Sequence, residues 1–107
     1  MQHYTITVLE NITRGDRFEA FRPETSELRF VTVLEVEAVS ENEALDEAWA
    51  IGNRAPNIFA VGGTGFPENA RSTSVGDVLI IGPFAWAVAD MGFEAVRMAD
   101  VRTASAR

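Results

Sequence analysis

The chain has no cysteine. Disulfides, thiolate nucleophiles and cysteine-based zinc sites are therefore excluded. It has no lysine either: all nine basic residues are arginines, a usage typical of GC-rich coding genomes. Histidine occurs once, as His3. A Ser-His-Asp triad would have to be built on that residue, far in sequence from the serines that attract attention. Any metal would have to rest on carboxylates, and no D-x-D-x-D-G spacing is present. No metal site and no cofactor is expected. The longest apolar run, Val78 to Ala89, falls short of the roughly 20 residues that span a bilayer, and Gly82-Pro83 interrupts it. No basic stretch precedes an apolar run near Met1. The expectation is a soluble cytoplasmic protein with no membrane contact.

What is present is a composition for one core. Of 107 residues, 47% are hydrophobic and 23% charged, which is globular and not disordered. A chain of this length can bury roughly 60–70% of the surface exposed when unfolded. The net charge of −7 is placed unevenly. Residues 1–53 carry 11 acids and 4 bases, while residues 54–107 carry 5 of each. Direct binding to nucleic-acid phosphates is disfavoured, because it needs a basic footprint.

Hydrophobic periodicity supplies the elements. Tyr4 to Leu9 alternates, with Tyr4, Ile6 and Val8 on one face, as a half-buried strand does. Asn11 to Asp16 reads as a turn, and Phe18 to Phe21 as a short strand ended by Pro23. Leu28 to Val39 is the longest strand candidate, with Leu28, Phe30, Thr32, Leu34, Val36 and Ala38 on its expected core face. Ser40 and Glu43 match a capping box, and an apolar stripe of Ala44, Leu45, Ala48, Trp49 and Ile51 predicts a helix over 41–52. Gly52-Asn53 would stop it in a left-handed conformation. Residues 54–74 look irregular, with a short strand near Ile58 to Val61 as an option. A meander follows: Val78 to Ile81, a Gly82-Pro83 turn, Phe84 to Ala89, an Asp90-Met91-Gly92 turn, and Phe93 to Met98.

These elements predict one α+β domain over 1–100 and a flexible tail over 101–107. The sheet would be mostly antiparallel, with an SH3-like or PUA-like half-barrel as one form of its C-terminal end. One main helix would pack across it.

The segment Arg71-Ser72-Thr73-Ser74-Val75-Gly76-Asp77-Val78, followed by Trp86, Val88 and Gly92-Phe93, resembles the C-terminal signature R-S-x-S-V-G-D-V…G-F of small actinobacterial proteins associated with plasmids and phages. It is also similar to the end of YodL-like domains. The resemblance covers Arg71 to Val96. That family usually carries Asp-Gly at the first hairpin turn, where this chain has Gly82-Pro83. The resemblance implies a mobile-element setting and no established activity.

Gly76-Asp77 precedes a buried strand. Its structural role is a tight turn, with Gly supplying positive φ and the carboxylate accepting backbone N–H groups. Its functional alternative is a small enzyme using Asp77 with Ser72 or Ser74. Arg71, Ser72 and Ser74 could hold an anion or peptide, or Arg71 could pair with a local acid. Gly62-Gly63-Thr64-Gly65 lacks the Lys-Ser/Thr of a phosphate loop and reads as a flexible loop, with small-ligand binding across 62–74 as the alternative. Arg14-Gly15-Asp16 reads as a turn. Trp49 and Trp86 are expected in the core; an exposed Trp86 or Phe93 would mark an interface.

Residues 30–53 hold six acids and no base. Glu35, Glu37, Glu43, Asp46 and Glu47 are the candidate contacts for a partner with a basic surface, against a merely solvated face. The expected function is therefore a non-enzymatic protein-binding module, in its sharper form an inhibitor of a host nucleic-acid-handling or defence system. An exposed edge strand would also permit a homodimer.

Overall fold

The computed structural model describes residues 1–13, 19–53 and 66–107. Two long strands open the fold, β1 (Gln2–Asn11) and β2 (Leu28–Ala38). A helix, α1 (Glu41–Gly52), follows. Then come three short strands, β3 (Val78–Ile81), β4 (Phe84–Val88) and β5 (Phe93–Val96), and a second helix, α2 (Met98–Ser105). All five strands join one open antiparallel sheet in the order β2-β1-β3-β4-β5. This is an α+β fold with the N-terminal strand inside the sheet, between β2 and β3.

The chemistry of each strand follows its place. β3 is apolar throughout because both its faces are covered: Leu79 and Ile81 enter one core, Val78 and Ile80 the other. β1 splits its residues the same way, sending Ile6 and Val8 to the first core and Leu9 to the second. A bulge interrupts β2. Thr32 faces Val8 and Phe30 faces Leu9, which leaves Val31 as the extra residue. The bulge exchanges the faces of β2. Beyond it Leu34, Val36 and Ala38 point into the first core, while Leu28 points into the second and Phe30 stands 61% exposed. The single core face expected along Leu28 to Ala38 is thus corrected by one inserted residue.

Helix α1 starts where the capping pattern placed it. Ser40 is extended, and its Oγ accepts from the Glu43 backbone N–H at 3.2 Å. Its end differs from expectation. Asn53 has φ −101°, and Gly52 is not among the positive-φ glycines. Gly52 is required by proximity instead: a Cβ there would lie 1.9 Å from Thr73 Oγ1. The helix runs against the 71–74 segment, and Asn53 Nδ2 clamps the two by donating to the carbonyls of Trp49 and Thr73. α1 buries Ala44, Leu45, Ala48 and Ile51 against β2, β1 and β3. Trp49, expected in that stripe, is 43% exposed.

Two further corrections concern the chain's ends. Residues 19–21 form no strand, and the rest of the expected 18–21 strand lies outside the described residues. The tail expected from residue 101 is helical. α2 buries Val101 and Ala104 on the face of the sheet opposite α1, beside Leu9, Leu28, Ala85 and Ala87. Arg107 then donates to the carbonyls of Ser26 and Pro23 at 2.6 and 2.7 Å. The strand option at 58–61 and the sequences Arg14-Gly15-Asp16 and Gly62-Gly63-Thr64-Gly65 lie outside the described residues.

Candidate functional site

The Arg71–Asp77 segment closes on itself as a structural knot. Asp77 is 2% exposed. Its Oδ1 accepts from the Asn11 backbone N–H at 2.8 Å and Arg71 Nη2 at 2.7 Å. Its Oδ2 accepts from Arg71 Nη1 and the Ser74 N–H, both at 2.9 Å. The guanidinium also donates to the carbonyls of Ser72 and Asn11, at 2.9 Å each. Planar two-pronged pairing of this kind is what arginine offers and lysine does not. The hydrogen bonds to Asp77 raise the Arg71 pKa, against the opposing effect of burial. Gly76 adopts φ +92°, and a Cβ on it would lie 2.0 Å from the Glu19 carbonyl oxygen.

Every strong acceptor direction of Asp77 is therefore occupied by the chain's own donors. The knot ties the end of β1 to the start of β3, and the carboxylate is committed to that task. Ser74 Oγ donates to the Ser72 carbonyl at 3.2 Å, within the same turn. Asn11 is the member sequence reasoning missed. Its backbone supplies one donor and one acceptor to the pair from 60 or more residues away. Among the described residues, the buried Thr73 hydroxyl beside the knot has no hydrogen-bond partner.

The acids of 35–47 are not gathered on one face. Glu35 and Glu37 lie on β2, and Glu35 turns to its neighbour strand: His3 Nε2 hydrogen-bonds its carboxylate, and Thr5 Oγ1 donates to both oxygens at 3.0 and 3.2 Å. The contact with His3, then that with Thr5, holds the Glu35 carboxyl below its ordinary value. His3 accordingly belongs to β1. On α1, a residue step of about 100° puts Glu43 and Glu47 on one flank and Asp46 with Trp49 on the other.

That second flank borders an open apolar surface. A five-stranded sheet is about 19 Å across at about 4.8 Å per strand, and a helix with its side chains is about 10 Å wide. α1 therefore covers β2, β1 and β3, and leaves a shelf over β4 and β5. At one end of the shelf a hollow of about 550 Å³ is lined by Glu41, Leu45, Phe84 and Trp86. At the other a hollow of about 490 Å³ is lined by Asp46, Trp49, Asp90 and Phe93. Phe84 is 57% exposed; Trp86 and Phe93 are half-buried and rest on the first core. Trp86 was expected in the core. Its indole edge reaches the shelf and donates to Glu41 Oε1 at 3.0 Å. Of the expected set, the structure thus places Asp46 and Phe93 on one hollow, with Trp49 and Asp90, and Trp86 on the other, with Glu41 and Phe84.

No family model, curated protein or solved structure matches this chain. Among the described residues no group of three or more histidines or carboxylates could hold a metal ion. Nor is any described helix long and apolar enough to cross a membrane.

Proposed function

We propose that this chain is a non-enzymatic protein-binding module that engages a partner with a basic surface through the shelf between α1 and β4–β5. The observation that carries this reading is the pairing of exposed aromatic surface with charge of one sign. Phe84 and Trp49 stand open beside half-buried Trp86 and Phe93. Glu41, Asp46 and Asp90 edge the same surface, with no base among its described lining residues. Aromatic anchors with a polar rim are the composition of protein interfaces, and excess charge steers a complementary partner. The knot at Asp77 supports the non-enzymatic side, because its carboxylate is already bonded on all sides. The resemblance of Arg71–Asp77 to plasmid- and phage-associated proteins supports a mobile-element setting. There, a basic nucleic-acid-handling protein of the host has the right charge for a partner.

Affinity capture from host lysate at low and moderate salt tests this reading, run with wild type and an Asp46→Lys/Asp90→Lys variant. The expected result is one protein of basic surface, retained at low salt, reduced at moderate salt and lost in the variant. Capture that is indifferent to both salt and charge reversal would refute the reading.

A further inference from the structure

The shelf has the dimensions of a missing helix. Two strands at about 4.8 Å leave a strip about 10 Å wide beside α1, and neighbouring helices on a sheet sit 8–10 Å apart. α1 has 12 residues, so its flank is about 18 Å long. A floor of Phe84, Trp86 and Phe93 lies in that strip, and the α1 wall adds Trp49. The charge is placed for one occupant chemistry. Glu41 and Asp46 stand on α1 five residues apart, and Asp90 is at the β4–β5 turn.

Resting on the proposed reading, we infer that the shelf receives a basic amphipathic α-helix of the partner, about three turns long and lying alongside α1. Its apolar residues, at i, i+3, i+4 and i+7, would pack on the aromatic floor. Its arginines or lysines would face Glu41, Asp46 and Asp90. An extended segment fits less well. β5 offers it only four residues of edge, and a strand paired there would extend the sheet without covering the floor.

The test uses a fluorescein-labelled 14-residue peptide with leucines at helical spacing and arginines between them, titrated with the whole chain and followed by anisotropy. Saturable binding is expected. A scrambled peptide of the same composition should bind at least tenfold more weakly. So should the helical peptide with the Phe84→Asp variant and with Asp46→Lys/Asp90→Lys. Glu43→Lys/Glu47→Lys, on the other flank, should change binding less than twofold. Circular dichroism checks that each variant is folded before titration. Equal binding of the scrambled peptide, stronger loss at Glu43/Glu47 than at Asp46/Asp90, or no saturable binding would overturn the helix. If an extended basic peptide binds tenfold more tightly than the helical one, the helix is refuted while the basic-partner reading stands.

Discussion

Asp77 shows how a single side chain can look catalytic in a sequence and be structural in the fold. It is 2% exposed and accepts four hydrogen bonds, two of them from one guanidinium. Asp77→Asn removes the charge and turns an amide donor toward groups that also donate. A buried pair broken on one side costs about 3 kcal/mol or more. Arg71→Lys keeps the charge and loses the fork, at a cost of about 1–2 kcal/mol. Urea denaturation should rank the two variants in that order. Glu35 gives a pH prediction. A carboxyl held below its ordinary value favours the fold above that value and loses the effect as pH falls through the lowered one. The loss therefore belongs to the acid limb, below the ordinary 4.5. In His3→Ala the NMR midpoint of Glu35 should move upward, toward the ordinary carboxylate range. That Arg71 would pair with a local acid was legible, because the acid lies six residues on. The role of Asn11 was not, because a backbone group leaves no mark in the sequence beyond its own strand.

Elements differ in how plainly they announce themselves. The start of α1 was legible because a serine just before the apolar stripe marks an N-cap, and Ser40 Oγ does accept the Glu43 N–H. α2 was not. Only Val101 and Ala104 of its eight residues are buried, and such a stripe is too short to stand out among Asp100, Arg102, Thr103 and Ser105. The bulge at Val31 was equally silent, since alternation is apolar enough on both sides of it to suit either face. Trp49 was misplaced for a reason that belongs to neither residue nor helix: α1 is narrower than the sheet beneath it. α2 is nonetheless a required element. Val101 is 2% exposed and meets Leu9, Leu28 and the alanines of β4. Val101→Asp would bury an unpaired carboxylate or expel the helix. It should cost about 3 kcal/mol, read as a lower midpoint in chemical denaturation. An Ala99→Ser change on the exposed side of the same helix should stay within about 0.5 kcal/mol.

At the scale of the molecule, one sheet separates two cores, each closed by one helix. The first core leaves β4–β5 open beside α1, and the proposed docking surface is the part of that sheet face that α1 does not cover among the described residues. Losing contact with a partner there should not unfold the chain. Phe84→Asp is therefore expected to abolish peptide binding while leaving the thermal midpoint within a few degrees of wild type.

The place of β1 between β2 and β3 also sets a timetable for synthesis. One of its edges is met early by β2, which begins at Leu28; the other waits for β3, whose first residue is Val78. While the ribosome is still making the middle of the chain, Ile6 to Leu9 present an unpaired edge with apolar side chains on both faces. Two nascent chains on one message can pair there before either can pair with itself. Refolding from denaturant should show the same hazard. Recovered native protein should fall as protein concentration rises, although the unfolding rate does not change.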